Sequence, residues 1–326
     1  MSANCSRLCP PWTFSCKTRC KRKVNAETDT AYGWTANEIR ARLGISSAVF
    51  EKERLGAREI ARIGEAGIRY IELAMLPLDL RKMPRSVDHR DERQIQEIRA
   101  ACAANGIQIV AVHSPNLPYS AEDESERRSA VREGVAIARV AVELGASLVV
   151  CHFRSNDSTR RSIHDLLHRT AAWRVTLGAE NLTDDNSIRK VLALLQEFDS
   201  PRLRMVLDIG HETDSHGMNP FTLKGLAKRA VVQCVARLAH VHLHDVLAHT
   251  FARQPDTRLP LRHRDHQPPL HEDGMIQWGE VFLGLRDINY PGVLLFEDGL
   301  CDDPQGFIDA TVSFPDRFLA RYRSHH

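Results

Sequence analysis

The chain has 326 residues, a formal net charge of +2, 43% hydrophobic residues and 26% charged residues, the balance of an ordinary soluble globular protein. That charge carries no nucleic-acid signature by itself, and no apolar run approaches the roughly 18 residues that a membrane helix needs. The length is large for one ordinary domain but fits an α/β barrel, for which about 250 residues is typical.

Four of the eight cysteines (Cys5, Cys9, Cys16, Cys20) fall in the first 20 residues. Their spacing, C-x3-C-x6-C-x3-C, is not a usual zinc-ribbon spacing. Arg7, Lys17, Arg19, Lys21, Arg22 and Lys23 all precede the first acid, and the stretch lacks the apolar core of a secretory signal. Residues 1–42 therefore read as a basic, disordered tail, with a helical tendency only near Ala36–Leu43, and the expected address is cytoplasmic. Cys102, Cys151, Cys234 and Cys301 lie in apolar contexts and read as small core residues.

From Gly44 onward a regular alternation begins. Gly44–Phe50 reads as a strand, Glu51–Ala66 as a helix stopped by Gly67, and Ile68–Ala74 as the second strand. After a loop, Asp91–Asn105 is a helix, Ile107–His113 a strand, Glu122–Leu144 a helix and Ser147–His152 a strand. Gly106 and Gly145 end their helices because glycine accepts the left-handed backbone conformation without a Cβ clash. The pattern continues with a helix over Ser162–Ala172, a strand over Val175–Glu180, a helix over Asn186–Glu197 and a strand over Arg202–Asp208. Asn219 caps a helix with Pro220 at its first position, running to about Ala236. Arg237–Val246 is the seventh strand, 248–274 a polar loop, Trp278–Asp287 a helix, Gly292–Glu297 the eighth strand and Pro304–Tyr322 the closing helix. Eight apolar strands, each followed by a helix, predict a (β/α)8 barrel over residues 43–326. An open doubly wound sheet is disfavoured, since no strand is followed by a Gly-x-Gly-x-x-Gly turn.

The chemistry of such barrels sits at the C-terminal ends of the strands. Those ends read Glu72, His113, His152, Glu180, Asp208 with His211, His242 with His244 and Asp245, and Glu297. Any one could be a solvated edge residue; together they suit a divalent cation. His240, His242 and His244 fall at period two, so all three imidazoles line one face of the seventh strand. Cys151 should face the helices. Trp173 and Trp278 read as packing residues, and Asn116 and Tyr119 as residues that shape a loop or touch substrate.

Several segments resemble the xylose isomerase-like barrel superfamily, in order along the chain. They are Glu-Ala-Gly-Ile-Arg-Tyr-Ile-Glu-Leu (65–73), Val-His-Ser-Pro (112–115), Val-Val-Cys-His (149–152), Ala-Glu-Asn-Leu (179–182), Leu-Asp-Ile-Gly-His (207–211), His-Val-His-Leu-His-Asp (240–245) and Leu-Phe-Glu-Asp (295–298). The resemblance to its sugar phosphate isomerase/epimerase branch implies one divalent ion (Mn, Co, Zn, Mg or Fe) held by Glu180, Asp208, His242 and Glu297. Glu180 and Glu297 would be the acid–base pair of an isomerase or epimerase that works through an enediolate. The substrate would be a sugar, sugar phosphate or cyclitol, with a homo-oligomer as the common assembly. His113, His152, His211 and His266 would then touch substrate or hold further metal.

The alternative is the endonuclease IV-like branch, which implies up to three zinc ions and a nucleic-acid substrate with abasic sites. There Arg264 occupies the position of an expected acidic ligand in His263-Arg-Asp-His266, and the cation would repel a metal. The Arg-rich loops (Arg81, Lys82, Arg85, Arg90; Arg253, Arg258, Arg262, Arg264) would meet phosphates, although solvated charge is their commoner meaning. A third reading is a non-catalytic barrel with a binding role. Pro-Pro-Leu-His-Glu-Asp-Gly (268–274) replaces the family's Pro-Gly-Glu-Gly turn, so a reshaped substrate loop is expected.

Overall fold

A computed structural model describes residues 30–50, 54–75, 87–182, 186–214, 216–249, 266–298 and 301–323. The Cys-containing segment, His263–Asp265 and most of the Arg-rich loop residues lie outside the described residues.

Eight parallel strands close into a barrel: β1 Leu43–Ser46, β2 Tyr70–Ala74, β3 Gln108–His113, β4 Leu148–Cys151, β5 Thr176–Glu180, β6 Leu203–Asp208, β7 Leu238–Leu243 and β8 Leu294–Phe296. β8 pairs with β1 through Leu294↔Leu43 and with β7 through Leu295↔His242, which completes the closure. The surrounding helices are α1 Ala57–Glu65, α2 Glu92–Ala104, α3 Glu124–Glu143, α4 Asp157–Arg169, α5 Ile188–Phe198, α6 Ala227–Val232, α7 Trp278–Asp287 and α8 Pro304–Tyr322. Side chains alternate along each strand, as the pleat requires. On β4, Val149 and Cys151 pack outward under the helices, while Leu148 and Val150 join Ala111 and Val206 in a small apolar plug inside the barrel. Cys151 thus sits where the alternation placed it.

Two register shifts set the phase of the site. Met205 pairs with Leu238 and the next residue, Val206, with His240, so Ala239 is one extra residue on β7. Likewise Ile71 pairs with Ile109 and Glu72 with Ala111, so Val110 is extra on β3. A bulge reverses which residues face inward beyond it. Past Ala239, His240, His242 and His244 face in and Val241 and Leu243 face out; past Val110, Ala111 and His113 face in.

Several boundaries differ from expectation. Residues 30–42, read with the tail, fold onto the barrel. Thr30–Ala31 pairs with Trp34–Thr35, and a short helix Ala36–Arg40 follows, held by a capping box between Thr35 and Glu38. Trp34 is buried and donates from Nε1 to Phe282 O at 2.8 Å. The first strand ends at Ser46 and Ser47–Phe50 is a 3-10 turn. Helix α4 starts five residues earlier than expected, because the Asn156 side chain accepts from Thr159 N at 2.8 Å and caps it. The single helix expected from Pro220 is two pieces, a 3-10 turn Pro220–Thr222 and α6, separated at Gly225 with φ +84°. Gly106 and Gly145 take φ +62° and +79°, as their stop role requires.

Candidate metal centre

The inward residues at the C-terminal strand ends converge on His242. Its Nδ1 lies 2.9 Å from Glu180 Oε1, 2.8 Å from Glu297 Oε2 and 4.0 Å from Asp208 Oδ2. On the other edge of the ring, Nε2 lies 3.2 Å from Glu72 Oε2. Glu180 Oε2 accepts from His113 Nε2 at 3.1 Å and from His152 Nε2 at 2.9 Å. The two histidines flank the site at its more exposed edge. Local sequence explains the placement. Gly178, one inward position below Glu180, has no side chain because a Cβ there would meet Val206 Cγ2 at 2.5 Å. The backbone past Asp208 folds back so that Gly210 N and His211 N donate to its Oδ1 at 2.7 and 2.8 Å.

Asp208 joins this centre to a second group. His244 Nε2 lies 3.0 Å from Asp208 Oδ1, and His211 Nδ1 lies 3.2 Å from Oδ2. His266 stacks on His244 at 4.3 Å between ring centroids and stands edge-on to His211 at 4.8 Å. His244 Nδ1–H donates to Asp245 O at 3.2 Å, which turns Nε2 toward Asp208.

Four carboxylates, Glu72, Glu180, Asp208 and Glu297, are buried here. Burial pushes each toward its neutral form, but the neighbouring imidazoles outweigh it and hold all four below the usual carboxylate range. Burial pulls His113 and His242 down, and the acids more than reverse it: His113 rises to about 9 and His242 well above its ordinary value. His211 moves the other way, because burial prevails over Asp208 and the His266 and His244 rings add to it.

The geometry fits a cation. Ligands about 2.0–2.2 Å from a divalent ion lie roughly 3–4.4 Å from one another. The donor atoms of Glu180, Asp208, His242 and Glu297 all lie within 4.8 Å of one another, and so do those of Asp208, His211, His244 and His266, and those of His113, His152 and Glu180. A buried carboxylate set needs positive charge, and mixed carboxylate–imidazole donors suit a borderline divalent metal.

The sequence-derived residues Glu180, Asp208, His242 and Glu297 thus come together, with His113 and His152 beside Glu180 and with His211 and His266 beside Asp208. Two residues gain a larger part than expected. His244, read only as one of the polar residues at the end of the seventh strand, is fully buried against Asp208. Its period-two spacing from His242 was the available signal. Glu72, noted only as a strand end, touches the His242 ring. Asp245 is a structural group: it accepts from Trp278 Nε1 at 2.8 Å, Ile276 N at 3.1 Å and Val246 N at 3.0 Å. Trp278 and Tyr119 are buried packing residues. In the reshaped turn, Leu270 takes φ +56°, and Gly274 leaves room for Asp245, whose Oδ2 would lie 2.2 Å from a Cβ there.

Solved structures share this architecture. D-psicose 3-epimerase from Clostridium cellulolyticum H10, solved with D-tagatose, matches with a TM-score of 0.62 at 17% identity, covering 86% of this chain and 99% of that one. An L-ribulose 3-epimerase matches with a TM-score of 0.63 at 18% identity, covering 86% and 95%. D-allulose 3-epimerase from Methylomonas sp. matches with a TM-score of 0.61 at 16% identity, covering 85% and 97%. At such identities the likeness establishes the fold. No curated protein matches in sequence. A sequence model of the family described as "Xylose isomerase-like TIM barrel" matches residues 60–308. The chain belongs to the xylose isomerase-like TIM barrel family.

Proposed function

We propose that the chain is a divalent-metal-dependent isomerase or epimerase of a sugar, sugar phosphate or cyclitol, moving the proton on the carbon next to a carbonyl. The observation that carries this reading is the convergence of two buried carboxylates, Glu180 from β5 and Glu297 from β8, on His242 Nδ1 beside Asp208. The names of the structural neighbours, epimerases of psicose, ribulose and allulose, add weight to a sugar substrate.

Glu180, Asp208, His242 and Glu297 would hold the ion, which would supply Lewis-acid stabilisation of the oxyanion that develops on the substrate. Glu180 and Glu297 stand on different strands, so one removes the proton and the other returns it. Glu180 Oε1 faces His242, and its proton exchange therefore uses Oε2, where His113 and His152 donate. Those two imidazoles orient the carboxylate.

Purified protein should contain about one equivalent of divalent metal at this centre and turn over a member of a panel of ketoses, their phosphates and inososes. Glu180→Gln should lower turnover on that substrate by about 10²-fold or more; full turnover in this variant contradicts the assignment. A second reading rests on the donor group Asp208, His211, His244 and His266, which suits a further ion and the phosphodiester-cleaving alternative. Three zinc ions per chain with cleavage of abasic DNA, and no ketose turnover, would favour it.

A further inference from the structure

β7 carries an inward imidazole that the proposed reaction does not use. His240 sits one pleat below His242, nearly buried, with Nε2 3.3 Å from Glu72 Oε2. The same carboxylate oxygen lies 3.2 Å from His242 Nε2. Glu72 comes from β2, two strands beyond β8 around the barrel, and reaches across the interior to meet both rings. It is fully buried, and among the described residues its Oε1 has no hydrogen-bond donor. A buried carboxylate with an unmet acceptor destabilises a core, so packing does not explain it.

The direction of the contacts does. The His242 ring presents Nδ1 to Glu180, Glu297 and Asp208, and Nε2 to Glu72. A histidine that holds a metal through one nitrogen needs a partner on the other to fix its tautomer and its rotation about the ring axis. We propose that Glu72 is the positioning residue for His242: it accepts the Nε2 proton, is braced from below by His240, and thereby aims Nδ1 at the cation. This rests on the metal-centre reading above. His240 also lines a cavity of about 390 Å3 at the N-terminal mouth of the barrel, together with Arg204 and Thr176. It thus stands between that opening and Glu72. The three imidazoles of β7 then have separate tasks: His240 steadies Glu72, His242 faces the metal and His244 faces Asp208.

The rival is that Glu72 itself ligates, since its donor atom also lies within 4.8 Å of those of His113, His242 and Glu297. Cobalt(II) titration of the metal-free full chain separates the two, read by calorimetry and by the visible d–d absorption. Glu72→Leu should bind cobalt about 10- to 100-fold more weakly than the wild type. Glu72→Gln, whose amide oxygen still accepts from Nε2–H, should lose less. At saturation both should keep the wild-type band shape and intensity, because the coordination number is unchanged. Thermal melting of the metal-free variants checks folding, and if Glu72→Leu does not fold, Glu72→Met, which likewise offers no acceptor to Nε2–H, takes its place. Unchanged affinity in the folded variant overturns the positioning role alone, and an altered band at saturation overturns it in favour of direct ligation. A wild-type chain that binds no cobalt overturns the metal-centre reading together with it.

Discussion

Gly210 shows how closely the second donor group is built. A Cβ at this position would lie 1.9 Å from His244 Cε1, so the ring occupies the space a side chain would need. Gly210→Ala should force His244 off Asp208 and cost about 1–3 kcal/mol of stability, measured by urea unfolding. Nearby, Glu212 is buried and accepts from Ile188 N at 2.9 Å and from Asn181 Nδ2 at 3.2 Å. Burial pushes its carboxyl up to about 8, further than those two donors pull it back. Above the ordinary carboxylate range the unfolded chain releases this proton while the folded chain keeps it. Its contribution is therefore fully present at low pH and is lost as pH rises toward about 8. Relative to Glu212→Gln, the metal-free wild type should lose on the order of a few kcal/mol between pH 5 and 8 in unfolding experiments. Equal pH slopes in the two proteins would contradict it. Residue type and strand position made Glu72, His113, His152, Glu180, Asp208, His242 and Glu297 legible as polar strand ends, and the family resemblance singled out Glu180, Asp208, His242 and Glu297 among them. Glu212 was not legible, because its environment comes from Asn181 and Ile188, residues remote in sequence.

At the scale of elements, bulges and caps decide what the strands deliver. The apolar run of β7 is readable, but a single extra residue such as Ala239 leaves no mark on hydrophobicity, so the inward phase of the histidines comes from pairing with β6. Helix ends follow the same logic. Gly106 and Gly145 announce themselves by residue type, whereas Asn156 is one polar residue among several and its capping role appears only in three dimensions. Gly225 splits the segment after Asn219, because its positive φ ends one turn before α6 begins. Asn219 fastens that segment to the end of β6: its Nδ2 donates to Ile209 O at 2.9 Å and Gly210 O at 3.1 Å, and its Oδ1 accepts from Phe221 N at 2.8 Å. Asn219→Ala should lower stability by about 2 kcal/mol in denaturant unfolding and loosen the loop that carries His211.

Across the whole molecule, the alternation of apolar strands and glycine-stopped helices suffices to specify a closed eight-stranded barrel. Within residues 30–42 the helical tendency near Ala36–Leu43 appears as the helix Ala36–Arg40, whereas the two-residue strands before it are too short to show a period and the docking of the segment on the barrel leaves no pattern. Trp34 anchors them by stacking edge-on against Phe282 at 5.5 Å, with the Arg286 guanidinium 4.1 Å over its ring. Trp34→Ala should cost about 3–5 kcal/mol and lower Tm, without changing metal affinity. Among the described residues no helix is long and apolar enough to cross a membrane.

The proposed reaction moves a proton on the carbon next to a carbonyl at the centre formed by Glu180, Asp208, His242 and Glu297. Its most direct measurement is deuterium incorporation from D2O, by mass spectrometry, into ketoses, ketose phosphates and inososes with manganese- or cobalt-loaded protein. One deuterium is expected on the carbon beside the carbonyl of a substrate in that panel, with loss of exchange in Glu180→Gln and Glu297→Gln. A metal-loaded wild type that exchanges none of them, or a Glu180→Gln, Glu297→Gln double variant that exchanges at the wild-type rate, would contradict it.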